Sequence, residues 1–270
     1  VTVKDLLMSP YTTTIEEIMD THVLKAVTTE DQEAVAAMFN EYALLSLPVV
    51  DGENRLVGII TVDDIMDVME QEATEDFEKM AAMNPSEKPY LKTSVFQLAK
   101  NRIVWLLVLM FSSMVTGEIL TQYEEAFSAI PLLVTFIPML MNTGGNSGSQ
   151  ASTMIIRGMA VGEISPADIV KVVWKELRVG VLVGFCLAVA NFIRLSLSYP
   201  GQEMICLTVV LSIFCIVIIA KTIGCTLPII AKVLHLDPAL MASPMISTIL
   251  DACSLVIYFN FACHLLDMAV

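Results

Sequence analysis

A chain of 270 residues in which 56% of side chains are hydrophobic, with a mean hydropathy of +0.71, is too apolar for an ordinary soluble domain and implies several membrane crossings. A net charge of −14 leaves no basic stripe to displace counterions from phosphates, which excludes nucleic acid as a partner and favours cations. The charge is uneven: residues 1–102 hold 19 acidic and 8 basic side chains, residues 103–270 hold 10 and 7. The polar front and the apolar back are therefore separate domains.

The front reads as a remnant followed by one complete repeat. Thr61-Val62-Asp63-Asp64-Ile65-Met66 echoes Thr2-Val3-Lys4-Asp5-Leu6-Leu7, so residues 1–9 are expected to close a first copy. The first residue is Val1 rather than Met, and Val1 to Pro10 lacks the apolar segment of a signal peptide, which reads as a piece of something longer. Residues 10–70 predict a strand over His22–Ala26, a helix over Asp31–Tyr42 opened by Thr29 and Gln32 in capping-box spacing, and a strand over Ser46–Val50. An Asp51-Gly52 turn, a strand over Arg55–Ile60 and a helix from Val62 follow.

This βαββα order, with Leu47-Pro48-Val49-Val50-Asp51 followed by Gly58-Ile59-Ile60-Thr61-Val62-Asp63-Asp64, resembles a CBS domain. The resemblance implies a site for ATP or another adenosine nucleotide, with Thr61 and Asp64 hydrogen-bonding the ribose. Thr61 serves equally well as the cap of the following helix. Eight carboxylates then fall within sixteen residues, from Asp63 to Glu78, before the first base, Lys79. Asp63, Asp67 and Glu70 share a helix face, where a regulatory divalent cation would relieve their repulsion; a solvated acidic face is the commoner alternative. Residues 71–100 read as an acidic, plug-like connecting helix.

Residues 101–270 predict five spans: Ile103–Leu120, Ala126–Ile156, Val172–Ile193, Met204–Ala231, and a fifth within Pro238–Leu266. The second run has 31 uncharged residues and, as one helix, would measure about 46 Å against a hydrocarbon core of about 30 Å, so it must tilt, kink or overrun the core. Lys88, Lys92, Lys100 and Arg102 precede the first span, and Arg157, Lys171, Lys175 and Arg178 separate the second from the third. The loop Gln122-Tyr123-Glu124-Glu125 has no base. By the positive-inside rule the front is cytoplasmic and the C-terminus outside. The fold class is mainly α: a polytopic bundle of five transmembrane helices in the lipid of the cell membrane, with a small cytosolic α/β domain.

Asp251 stands near the middle of the fifth uncharged run, where a carboxylate costs about 2.5–3.5 kcal/mol on insertion scales and normally faces a bundle interior or an aqueous path. Pro244, Ser247, Thr248, Ser254 and Tyr258 fall on its helix face. The second span offers a matching polar face through Asn142, Gly145, Asn146, Ser149 and Thr153. Carboxylate, amide, hydroxyl and carbonyl oxygens without a His or Cys cluster suit a hard cation such as Mg²⁺ or Ca²⁺. The six cysteines lie in apolar segments and read as buried packing thiols. Lys221 in the fourth span either snorkels or pairs with an acid such as Glu118. No nucleophile and base pair stands at useful spacing, which argues against an enzyme.

Pro138-Met139-Leu140, Gly144-Gly145-Asn146-Ser147-Gly148-Ser149-Gln150, Arg157-Gly158, Asp237-Pro238-Ala239, Ser243-Pro244 and Asp251 together resemble the MgtE family of magnesium channels and transporters. The resemblance implies a homodimer whose pore forms at the subunit interface from spans two and five. It implies Asp251 as the central cation-binding carboxylate, Asp237 as an acid at the cytoplasmic pore mouth, and closure by cytosolic Mg²⁺ bound near the connecting helix. The family normally carries an N-terminal helical domain and a complete CBS pair ahead of this point, so such closure is expected to be impaired while conduction survives. Two other readings compete: an ion-coupled divalent-cation exchanger in which Asp251 protonates, and a CBS-based cation or adenylate sensor without transport.

Overall fold

The computed structural model describes residues 1, 3–86, 88–124, 128 and 130–266. Two units result, Val1–Thr74 and Glu75–Val270, dividing inside the acidic helix rather than at its ends.

In the first unit, two short helices, α1 (Val3–Met8) and α2 (Ile15–Ile18), precede β1 (Ala26–Val27), α3 (Gln32–Tyr42), β2 (Ser46–Val50), β3 (Leu56–Thr61) and the start of α4 (Val62–Met80). The α3 crossover sets β1 parallel to β2, with Ala26 opposite Val49, while the tight Asp51 turn sets β3 antiparallel to β2, with Leu47 opposite Ile60. Asp51 holds that turn by accepting the N–H groups of Glu53 and Arg55, both at 2.9 Å. Ala26, Val35, Ala36, Phe39, Leu47 and Ile65 form the core between sheet and helices.

Two local expectations change. The first strand is only two residues long and starts at Ala26, not His22. The cap of α3 is Asp31, whose carboxylate accepts the Glu33 N–H at 2.8 Å, in place of Thr29. Asp31 lies directly before the first turn, and its negative charge also meets the positive end of the helix dipole.

In the second unit α4 ends at Met80, so the acidic helix runs unbroken across residue 70 and stops well short of residue 100. The loop after it is tied to α5 (Val95–Gln122): the Asn84 N–H donates to the Asn101 carbonyl at 2.9 Å, and the Trp105 indole N–H donates to the Asn84 side chain at 3.1 Å. Then come a 3₁₀ turn (Pro131–Phe136), α6 (Ile137–Ala160), α7 (Ile169–Ser198), α8 (Glu203–Val233), a second 3₁₀ turn (Pro238–Met241) and α9 (Ser243–Leu265).

Among the described residues, four helical segments are long and apolar enough to cross a bilayer: Val95–Gln122, Pro166–Ser198, Glu203–Val233 and Pro238–Leu265. The expected five are thus four by length and hydropathy. The other long helix, α6, spends its middle on glycine, amide and hydroxyl groups from Asn142 to Gln150. The long uncharged run is not one helix: Pro131 and Pro138 each sit in the first turn of successive elements, and the α-helix begins only at Ile137. The fifth run breaks likewise at extended Ala242, which places Asp251 in the first half of α9.

The spine is α8. Its Val209, Ile213, Ile216, Val217 and Ala220 are buried, and it packs against α6, α7 and α9. In lipid this packing draws little from the hydrophobic effect and depends on close van der Waals approach, which small residues permit. Gly180 and Gly184 of α7 accordingly face the Ile218 and Phe214 backbone; a β-carbon at either would come within 3.2 Å. Helix α5 packs on α9 and leaves Leu106, Phe111 and Met114 exposed, as a lipid-facing helix would. The six cysteines are free; Cys206 and Cys225 are buried as expected, whereas Cys186 is exposed.

Candidate functional site

Helix α6 has two unlike sides. Gly144, Gly145, Ser147, Gly148, Ala151 and Ser152 are buried, while Asn142, Asn146 and Thr153 are exposed and Ser149 is partly buried. The buried side meets α9. A β-carbon on Gly145 would lie 3.2 Å from Ser247 Oγ, and one on Gly144 would lie 2.5 Å from Ser254 Oγ. On the open side Asn146 donates its amide to Asn142 Oδ1 at 3.2 Å, two residues one turn apart. The expected polar face is therefore split: Gly145 belongs to the packed seam, and the two asparagines form the open edge beside it.

Asp251 is partly buried on α9 and makes no hydrogen bond or ion pair with any described residue. Of the hydroxyls expected on its face, Ser247 and Thr248 are partly buried, and Thr248 bonds back to the Pro244 carbonyl at 2.9 Å. Ser254 and Tyr258 turn into the core. The Tyr258 hydroxyl donates to the Leu133 carbonyl at 3.0 Å and pins α9 to the turn ahead of α6. The stripe is thus half path and half seam, a division set by which neighbours α9 meets.

A groove of about 710 Å³ opens on the same side of α6. Asn146, Ser149, Gln150 and Thr153 line it together with Glu176 of α7 and Lys221 of α8. Lys221 is only 5% exposed and pairs with neither Glu118 nor any other described acid within salt-bridge reach; its ammonium opens on the groove it shares with Glu176. Sequence reading missed Glu176, which sits between Lys175 and Arg178 and looks like one more charge at the edge of the third span.

Asp237, at the head of the 3₁₀ turn that leads into α9, is fully engaged. Its Oδ1 accepts the Ala239 N–H at 2.9 Å, which caps the 3₁₀ turn, and its Oδ2 accepts the Lys79 ammonium at 2.6 Å. Lys79 also reaches Glu75 at 2.5 Å. Burial opposes the charge on Lys79, but the hydrogen bonds from Asp237 and Glu75 outweigh it and raise its pKa above the ordinary lysine value. The same turn is held from α6, whose Ser152 hydroxyl donates to the Met241 carbonyl at 2.8 Å.

Asp63, Asp67 and Glu70 stand exposed along α4. Among the described residues no group of three or more His, Cys, Asp or Glu converges as metal ligands would. Thr61 and Asp64 bond to each other: the Thr61 hydroxyl and N–H donate to Asp64 Oδ2 at 2.6 and 3.1 Å, the geometry of a helix cap. The hydroxyl first, and then the N–H, hold the Asp64 carboxyl below the usual carboxylate range.

Comparison with known proteins gives the arrangement its context. Residues 137–261 match the MgtE family, described as divalent cation transporter, and residues 15–71 match the CBS domain. The chain is 38% identical over 265 residues to the magnesium transporter MgtE of Thermus thermophilus, covering 98% of this chain and 58% of that one. It is 35% identical to the Bacillus subtilis protein of that name, covering 96% and 57%, and 30% identical to the Enterococcus faecalis one, covering 97% and 57%. The chain thus spans a little over half the length of these relatives. Fold and matches first define a class: a helical membrane protein with a divalent-cation-transporter domain behind a CBS domain. More narrowly, the residues from 137 to 261 match the MgtE family, and nearly the whole chain is similar to proteins named magnesium transporter MgtE.

Proposed function

We propose that this chain forms the membrane pore of a Mg²⁺ importer, a homodimer in which α6 and α9 of each subunit line a path on the two-fold axis. The observation that carries the reading is the pairing of Asp251 on α9, without a partner among the described residues, with the glycine seam and open asparagine edge of α6. A carboxylate in a span needs a positive partner, and a cation arriving from solution supplies one. Mg²⁺ holds its water tightly, so two Asp251 carboxylates attract the hydrated ion while Asn142, Asn146, Ser149, Ser247 and Thr248 accept hydrogen bonds from its water shell. Transport of this kind needs no covalent chemistry.

In this reading α6 is the fifth span, shielded from lipid on its polar side by the second subunit. The positive-inside pattern puts the CBS unit in the cytosol and the C-terminus outside. Cytosolic Mg²⁺ at Asp63, Asp67 and Glu70 of α4 regulates opening, with Asp237 at the inner mouth. A nucleotide such as ATP at the CBS unit engages Thr61 and Asp64 by exchanging their mutual hydrogen bond for the ribose.

The test is flux of Mg²⁺ into liposomes carrying the full chain. Wild type conducts without a proton or sodium gradient, and Asp251→Ala, at equal reconstitution, does not. Flux that requires such a gradient turns the reading into a coupled exchanger. Full flux in the alanine variant removes Asp251 from the path.

A further inference from the structure

The longest-range ion pair in the second unit is the one the transport reading leaves unused. Lys79 closes a run of eight carboxylates on α4, and an ordinary surface lysine there would exchange among several of them. Instead its ammonium lies 2.6 Å from Asp237, 158 residues further along, with Glu75 completing the set one helical turn back. Asp237 has one oxygen on the Ala239 N–H and the other on Lys79. The turn those two atoms fix runs directly into α9 through Ala242, and the Ser152 hydroxyl of α6 grips the same turn at Met241. One ammonium thus connects the end of the acidic helix to the segment from which the Asp251 helix starts.

Asp237 also stands where the transport reading needs a free carboxylate, at the inner mouth. A tethered monovalent charge already neutralises it. For a divalent ion to bind there, Lys79 must leave, and when it leaves α4 loses that ionic hold on the turn. Lys79 is partly buried, so the pair is screened less than a fully exposed one, yet enough water reaches it for the exchange to be reversible.

We propose that Lys79 is a positioning residue, a tethered cation seated on Asp237 that fastens the end of α4 to the start of α9 and keeps the mouth carboxylate from a divalent ion. The proposal rests on the transport reading for its effect on flux, but not for its effect on the turn. The first measurement is therefore hydrogen exchange of residues 237–248 in the full chain in lipid nanodiscs. Lys79→Met speeds exchange there by about two- to fivefold, the range expected for a partly exposed ion pair. Lys79→Arg stays at the wild-type rate, and the swapped pair Lys79→Asp with Asp237→Lys returns toward it. Unchanged exchange in Lys79→Met, or no rescue by the arginine and the swap, overturns the fastening.

The second measurement is Mg²⁺ flux in liposomes, where Lys79→Met frees Asp237 and raises flux by about two- to fivefold on the same grounds. Flux equal to or below that of wild type in Lys79→Met overturns the shielding of the mouth carboxylate. Wild type without flux but with the exchange effect intact overturns the transport reading and supports the fastening.

Discussion

The acidic helix α4 and the α6–α9 seam carry polar groups under opposite conditions. On α4 eight carboxylates crowd together, four of them exposed and four partly buried, and water spreads the cost of each so thinly that one more or fewer changes little. In the seam there is one carboxylate, a few hydroxyls and a row of glycines, each fixed by what it touches. The number of charged groups is therefore a poor guide to where function is concentrated; the constraint on each group is a better one.

That contrast grades the substitutions. The largest effect is on Asp251: with no described partner to replace, Asp251→Ala leaves the fold intact and takes Mg²⁺ flux to background, and Asp251→Asn does nearly the same. Next is Gly224→Ala. Its β-carbon would run into the Gly148 backbone, and backbone cannot swing aside as a side chain can. Overpacking of this kind costs about 1–3 kcal/mol, read as a lowered thermal midpoint of the full chain in detergent. A midpoint unchanged by that alanine breaks the claim that the seam is rigid.

Tyr258→Phe leaves the Leu133 carbonyl without its donor and costs about 1 kcal/mol on the same measurement. On the α4 side the effects shrink. The Thr61–Asp64 cap holds Asp64 in its charged form, so its stabilisation is fully present above the ordinary carboxylate pKa of 3.8 and is lost as pH falls through the lower folded value. Protection factors around residues 61–65, taken relative to the intrinsic exchange rate at each pH, should therefore fall in acid for wild type, and Asp64→Asn should flatten that dependence. Smallest of all, Asp67→Asn and Glu70→Gln should each move the thermal midpoint by an amount equivalent to less than about 0.5 kcal/mol. A large shift from either would mean that α4 is as constrained as the seam.

How far the sequence foretold this varies by element. The β2 and β3 strands and the Asp51 turn were readable because their signals are local: short runs rich in Val and Ile around a turn-forming Asp-Gly. The α3 cap was misplaced because two acceptors, Thr29 and Asp31, stand near one helix start, and only backbone geometry shows which reaches an N–H. Hydropathy found the membrane region but not its breaks, since Pro131 and Pro238 interrupt a helix without interrupting apolarity. Asp251 announced itself by isolation. Helical spacing alone put Gly145 and Asn146 on one surface, yet the first packs under Ser247 and the second stays open, a distinction that depends on where α9 lies. The partner of Lys79 had no local signal at all, being 158 residues away.

The contact of Gly148 with Gly224 has a mechanical consequence. Where two helices touch backbone to backbone, neither turns about its own axis, because rotation of α6 would drive the Ser147 or Ser149 side chain into a gap with no room for a β-carbon. The α6–α8 pair behaves as a stator. Pro228 lies one turn beyond the contact and has no N–H to donate to the Gly224 carbonyl, although α8 continues to Val233, so the frame is fixed at the crossing itself. Any widening beside α6 then falls to a neighbour that swings against this fixed frame, and α9, jointed at Ala242, is the helix built with a pivot.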